Sequence, residues 1–430
     1  MRTLSPRNRE LLNLIVVGML TGLGFTSVYI ARSEVVSPES LTYAAFFLLL
    51  YLVAHVVTRL TVPYADPYLL PLAGLLTGVG LTEIYRLNPD DAFRQGLWVV
   101  IGVALFAATL VALRHDYRRL ESYKYVIGLG ALALLVLPAL PVIGREIRGA
   151  RLWVEIGPFR FQPGEFAKIL LIVFLAGYLR EKREVLAQGR LKDFGPLLLI
   201  WGGAMAVLVQ TNDLGSGFLY FGIFLAMLYV ATSRIVFVVG GMALFLAGAA
   251  FVYQAIPRVQ DRVTIWLDPW PYVENESYQL VQSLFAIAFG GFGGTGLGRG
   301  TFTTTAGTNL IPDLNTDFIY SALAQELGLA GVAAIVLVYM LIVARGFRVA
   351  MLAQDGFSKL LAAGLTFGFA LQTFIIVGGV LRVIPLTGIT LPFVSYGGSS
   401  VVANFVLLAG LLLVSNRGNA TANLPMEARP

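Results

Sequence analysis

Apolar runs long enough to cross a bilayer recur from one end of this chain to the other, and that recurrence constrains the fold more than any other feature. Twelve can be drawn, at about 11–31, 41–60, 67–86, 95–113, 124–143, 163–180, 194–211, 214–232, 235–256, 318–344, 357–380 and 398–415. Lipid offers no partner for backbone N–H and C=O groups, so such runs must close their own hydrogen bonds as helices. The expected fold is therefore an all-α polytopic membrane protein. Composition agrees: 57% of residues are hydrophobic and 13% charged, where a soluble domain carries about 25% charge.

Charge sets the orientation. With the N-terminus inside, 19 Lys and Arg fall in cytoplasmic segments and 11 outside, and Lys168 lies within a span. This bias places both termini in the cytoplasm, and it puts the long loop 257–316, with Thr303 on it, outside. The net charge of +6 reports that orientation, and no nucleic-acid partner is expected. The first apolar run is too long for a cleaved leader and reads as an anchor. There are no cysteines, which removes disulfides, thiolate nucleophiles and thiolate metal sites. The two histidines, His55 and His115, fall near the inner face and in a cytoplasmic loop, so no histidine-based site is available outside.

Every outside cation is an arginine. Seven of the eleven lie in two segments, 144–162 and 257–316: Arg145, Arg148, Arg151, Arg160, Arg258, Arg262 and Arg299. Arginine without lysine suits bidentate recognition of phosphate. The alternative is pairing with Glu146, Glu155, Asp261 and Asp268, or with lipid headgroups. The loop 257–316 is too long to be a plain connection, and its aromatics and glycines argue against disorder. Within it, Trp266, Trp270, Tyr272 and Tyr278 suit the outer membrane interface, and Tyr278–Phe289 reads as a short apolar helix in or near the membrane surface. The glycine run from Gly290 to Gly300 would let backbone amides approach a ligand, with Arg299 adding charge.

The loop closes on 311–328, where Asp317 stands at the mouth of a membrane helix. A carboxylate there either caps the helix, as Asn315 or Thr316 also could, or acts as a base or cation ligand. Inside the membrane, Glu165 and Lys168 are three residues apart on one helix, a spacing that pairs them or turns both to a polar cavity. Asp213, in a tight turn, reads first as a turn and cap residue. The segment 391–400 offers hydroxyls and amides at another outer helix mouth.

These pieces together resemble the SEDS family of membrane glycosyltransferases, and the chain is most like its rod-shape members. The resemblance covers about residues 67–415. It rests on Tyr278-Gln279 with Gln282-Ser283, the glycine run through Gly298, Thr316-Asp317-Phe318-Ile319 with Glu326-Leu327-Gly328, and Phe393-Val394-Ser395-Tyr396-Gly397-Gly398-Ser399. A further block is Gly149-Ala150-Arg151 with Trp153, then Phe161-Gln162-Pro163 and Glu165-Phe166-Ala167-Lys168. The chain departs from the family pattern at Leu152, where a basic residue is frequent, and at Gly164. Asn212 stands where a proline precedes the acid Asp213, and Gln325 where a second Glu is frequent.

The resemblance implies a ten-helix catalytic core at 63–430 and a two-helix N-terminal extension at 1–62 that leaves the site unaltered. It implies polymerisation of lipid II into β-1,4-linked glycan, with release of undecaprenyl pyrophosphate, for cell-wall elongation or division. The enzyme would be an inverting glycosyltransferase in the bacterial cytoplasmic membrane, with an extracytoplasmic active site. Asp317 takes the place of the family's essential aspartate, and inversion needs one such base. A helix N-terminus would keep it ionised and weak, which suffices if proton removal is late. Arg151, Glu165, Lys168, Gln279, Gln282, Ser283, Arg299, Thr316, Ser395, Tyr396, Gly397, Gly398 and Ser399 are the expected substrate contacts. The leaving pyrophosphate needs cations, from arginine or a divalent ion such as Mg or Mn. Expected partners are lipid II, lipid-linked glycan and a class B penicillin-binding protein. Two other readings compete: a flippase or transporter of lipid-linked precursors, and a non-catalytic scaffold for a penicillin-binding protein.

Overall fold

The computed structural model describes residues 5–33, 38–147, 149–157, 159–187, 195–302 and 310–422; Arg2, Arg148, Arg190, Lys192, Thr303 and Arg429 lie outside the described residues. All twelve expected spans are helices. In chain order the helices are α1 (Pro6–Ser33), α2 (Pro38–Thr61), α3 (Leu69–Leu87), α4 (Pro89–Leu113), the short α5 (Arg119–Ser122), α6 (Lys124–Val136), α7 (Pro163–Glu181), the short α8 (Arg183–Ala187), α9 (Gly195–Gln210), α10 (Leu214–Thr232) and α11 (Ile235–Ala255). Then come α12 (Pro257–Leu267), α13 (Tyr278–Gly290), α14 (Ile319–Leu352), α15 (Gly356–Val380) and α16 (Gly398–Ala422). Among the described residues, eight helices are long and apolar enough to cross a membrane by length and composition. Of the four other spans, α6 and α9 are shorter, whereas α3 and α7 carry polar side chains such as Glu83 and Lys168 into the interior.

The centre of the bundle is α7, α14, α15 and α16. Of these, α16 packs along α4, and α7 lies against α6, α10 and α15. The outermost is α11: none of its residues is buried, and its neighbours are α10 and α12. A helix apolar on every side faces lipid, not a core. The N-terminal pair is clamped to the core by a buried polar cluster. Arg7 and Glu10 are paired at 2.6 Å, His55 Nδ1 lies 2.7 Å from Glu10, and Arg7 donates to the Ala65 carbonyl.

The sequence did not announce the small antiparallel sheet in the first arginine-rich segment. Its strands are β1 (Gly144–Ile147), β2 (Ala150–Ile156) and β3 (Phe159–Phe161), in that order, with Gly144 opposite Val154 and Val154 opposite Phe161. The alternation around buried Val154 is a strand pattern, but it is too short to stand out beside the helical runs. Here the arginines take the pairing option: Arg145 bonds Glu155 and Arg151 bonds Glu146, each at 3.0 Å.

The glycine run has a structural task. Within α14, Gly328 adopts φ +67, and a Cβ there would lie 2.3 Å from the Gly294 nitrogen. Only glycine fits that close approach at that φ. The run crosses α14 at the break and replaces its missing bonds. Leu329 N donates to Gly291 O and Ala330 N to Phe292 O, while Thr295 N and Gly296 N reach the carbonyls of Gln325 and Glu326. The amides expected to meet a ligand instead hold a side chain: Glu326 accepts from Gly298 N at 2.6 Å and Gly300 N at 2.9 Å. Arg86 Nε completes the set at 3.1 Å.

Candidate active site

Asp317 lies two residues before Ile319, the first residue of α14. The N-cap is Phe318, whose side chain makes no capping bond, so Asp317 stands one residue outside the capping position. Its carboxylate is half-buried and turned to the loop 381–397, where a Cβ on Gly388 would lie 3.5 Å from Oδ2. The mouth is pinned from the side of α16. Ser395 Oγ donates to Thr316 O at 2.6 Å and accepts from Leu391 N at 3.0 Å, and Tyr396 N donates to Asn315 O at 2.8 Å. From α4, Gln95 bridges Ser395 O and Gly397 N, while Asn315 donates to Asp91 at 2.8 Å.

A polar seam runs from this mouth toward α7. Lys168 and Glu165 pair at 2.8 Å, with relative side-chain exposures of 3% and 10%. Lys168 also donates to Gln372 Oε1 at 2.5 Å; Gln372 Nε2 donates to Thr390 O, and Thr390 Oγ1 to Ser400 Oγ. This ladder solves the burial problem of an ammonium in the membrane, because each charge has a partner. A narrow cleft opens beside it, lined by Glu165, Lys168, Ser216, Tyr220 and Gln372 among others. Asp213 is the N-cap of α10, accepting from Ser216 N at 3.0 Å. Burial pushes its carboxyl above the usual carboxylate range, although the Ser216 bond opposes the shift.

The roof is α12. Its Pro257 start and the four-residue spacing of Arg258 and Arg262 put both guanidinium groups on one face of a short amphipathic helix. The far end of that helix is tied to the end of α15: Arg382 donates to the Trp266 and Leu267 carbonyls, and Trp266 Nε1 donates to Arg382 O at 3.1 Å. Arg262 reaches inward, with Nη1 3.5 Å from Thr387 O. Burial and the Arg258 charge lower its pKa from the usual arginine value, against the attraction of the Asp317 and Asp213 carboxylates.

The expected contacts divide into three groups. Thr316, Ser395, Gly397 and Ser399 spend polar groups on the protein, Ser399 by accepting from Gln162 N at 2.8 Å. The ring of Trp98 lies against Gly398, and Ser283 is buried against Ser321 at 2.6 Å. These residues shape the mouth. Gln279, Gln282 and Tyr396 are half-buried. Arg151 stands at the rim: its amide bonds Thr211 O, and its side chain is 54% exposed beside Glu146. Arg299 is exposed on the glycine loop. That loop leans on α1, since a Cβ on Gly298 would meet Ala31 at 2.7 Å; the N-terminal pair therefore touches the surroundings of the site. Sequence reasoning counted Arg258 and Arg262 only among seven arginines, and missed Gln95, Gln372 and Thr387. The four-residue spacing was the one signal that could have separated the two arginines from the rest.

The cell cycle protein family of FtsW, RodA and SpoVE matches residues 71–419. The chain is 41% identical to peptidoglycan glycosyltransferase RodA of Mycobacterium tuberculosis (strain ATCC 25618 / H37Rv), over 99% of this chain and 92% of that one. It is 35% identical to a probable peptidoglycan glycosyltransferase FtsW of Geobacter metallireducens, over 83% of this chain and 96% of the relative. Among solved structures, a peptidoglycan synthase complex that coordinates polymerization and crosslinking has a chain similar to this one, with a TM-score of 0.67 and 29% identity over 82% of this chain and 98% of that one. The rod shape determining protein RodA of Thermus thermophilus is similar with a TM-score of 0.58 and 26% identity, over 82% of this chain and 96% of that one.

Proposed function

The chain belongs to the FtsW, RodA and SpoVE family of cell cycle proteins, and from that we propose that it is a peptidoglycan glycosyltransferase that polymerises lipid II on the outer face of the bacterial cytoplasmic membrane. The observation that carries the reading is the setting of Asp317: half-buried at the mouth of α14, against the 381–397 loop, in the electrostatic reach of the half-buried Arg262. Such a group is fixed in place and still reachable by a sugar hydroxyl arriving from water.

The chemistry is one displacement at an anomeric carbon. The acceptor's 4-hydroxyl oxygen forms the bond to C1 of the donor sugar, and its proton passes to Asp317. The C1–oxygen bond to the pyrophosphate breaks, and the electron pair leaves with the phosphate oxygen. One displacement converts an α-linked donor into a β-1,4 link. An oxocarbenium-like transition state lets the proton move late, so a weak base is enough. The paired Glu165 and Lys168 shape the cavity and take no proton. Among the described residues no three His, Asp or Glu side chains converge to hold a metal. If a Mg or Mn ion takes part, Asp317 is the carboxylate that would help hold it, and the ion would supply charge to offset the leaving pyrophosphate.

The charge bias supports both termini in the cytoplasm. A class B penicillin-binding protein is the proposed membrane partner, since the similar synthase couples polymerization to crosslinking. The test is purified protein given lipid II: wild type should yield glycan chains, and Asp317→Ala should yield none while melting like wild type. A folded wild type that makes no polymer, with or without the transpeptidase, would instead favour a transporter or scaffold.

A further inference from the structure

A guanidinium removed from water needs anions around it, because desolvation is repaid only by close, well-directed partners. Half-buried Arg262 is the cation of this site for which that demand is unmet. Among the described residues it closes no ion pair, and its one hydrogen bond, to Thr387 O at 3.5 Å, is at the limit of such a contact. Most of its five donors are unspent. The other interior cation, Lys168, is satisfied twice over, by Glu165 and Gln372.

Two further features surround Arg262. Arg258 stands one turn earlier on α12, and its Nη1 lies against the hairpin turn, 2.9 Å from where a Cβ on Gly149 would be. Two like charges on one face of a short helix repel one another unless an anion comes between them. Next to the carbonyl that Arg262 touches, Thr387 Oγ1 is buried and has no partner. An orphaned buried hydroxyl beside an under-used guanidinium is a place that expects more oxygen atoms.

We propose that Arg262, Arg258 and the Thr387 hydroxyl form the diphosphate-binding element of the site, which holds the pyrophosphate of a lipid-linked sugar under α12 while Asp317 faces the incoming hydroxyl. A forked guanidinium takes two oxygens of one phosphate, the second arginine takes the other phosphate, and Thr387 donates to an oxygen between them. Position suits the lipid: α12 is amphipathic and leads out of α11, the helix most open to lipid, so a prenyl chain has a path while its headgroup sits under the roof. Arg151 and Arg299 differ in being exposed, where water already solvates their charge.

The inference rests on the polymerase reading for the identity of the lipid, and its test is independent of turnover. The probe is geranylgeranyl pyrophosphate, set against geranylgeranyl monophosphate, titrated into full-length protein in detergent with a chelator present. Wild type and Arg145→Gln, a change on the exposed hairpin, should bind the pyrophosphate more tightly than the monophosphate. Arg262→Gln should weaken pyrophosphate binding by about 10- to 100-fold and erase the preference, while Arg262→Lys, which keeps charge and loses the fork, should weaken it about 3- to 10-fold. Arg262→Gln protein that melts like wild type and binds pyrophosphate equally well overturns the proposal. If that variant does not fold, wild-type binding by Arg262→Lys overturns it in the same way. A wild type that binds the pyrophosphate selectively yet makes no glycan from lipid II refutes the polymerase reading and leaves the binding element standing.

Discussion

Replacing Glu326 should unlatch the glycine loop, and the size of the effect can be worked from three bonds. The carboxylate accepts from Gly298 N, Gly300 N and Arg86 Nε, and its side chain is wholly buried. Glu326→Gln keeps the shape and removes the charge. Each amide bond then falls from charge-assisted to neutral strength, a loss of about 1 kcal/mol apiece, and the new NH2 group must face a donor and loses about 1 kcal/mol more. The total, about 2–3 kcal/mol, is a roughly 30- to 150-fold increase in the open population of the loop. Glu326→Ala also leaves Arg86 without its carboxylate and should cost about 3–5 kcal/mol. Amide hydrogen exchange of a peptide covering 294–302 reads this directly, since the bonded amides belong to Gly298 and Gly300. The expected result is a loss of protection of that size in this peptide, with α15 and α16 unchanged. Equal protection of the loop in wild type and both variants would show that Glu326 does not hold it.

Reversing Glu165 and Lys168 together should recover part of the lipid II polymerisation lost by either single reversal, because each single change strands a buried charge at about 3–5 kcal/mol; a double variant no better than the worse single refutes the pairing. Asp213→Asn keeps the cap on Ser216 N and removes an acid whose pKa burial raises above its unfolded value. A raised acid contributes fully below its unfolded pKa and loses that contribution as pH climbs through the folded one, so the stability of the Asn variant relative to wild type should grow as pH rises above the ordinary aspartate range in thermal melts; a gap that is flat or shrinks contradicts the burial argument.

The chain's own order of residues determined the twelve spans, the interfacial aromatics of the loop after α11, the short helix expected at Tyr278–Phe289 and the candidacy of Asp317. Each of these is a local property. A backbone in lipid must bond to itself within a few residues, so a run of apolar side chains becomes a helix whatever surrounds it. The pairing of Glu165 with Lys168 was legible for the same reason, because three residues span less than one turn of a single helix.

Only the tertiary structure decided what the polar groups do. The glycine run looked like a cradle for a ligand and proved to be a patch over the break at Gly328, a relation between segments about thirty residues apart that no local pattern encodes. Ser395, Gly397 and Ser399 offered donors and acceptors in sequence, but Thr316, Gln95 and Gln162 had already taken them in space. Of the seven outside arginines in the two segments, Arg151 and Arg299 were the ones singled out as expected contacts. Folding separated the seven, since it put Arg151 beside Glu146 in the open and carried Arg262 under α12 toward Asp317 and Asp213. The reason is that hydrophobic periodicity is read from neighbours along the chain, whereas the worth of a charge depends on which partners and how much water the whole fold leaves around it.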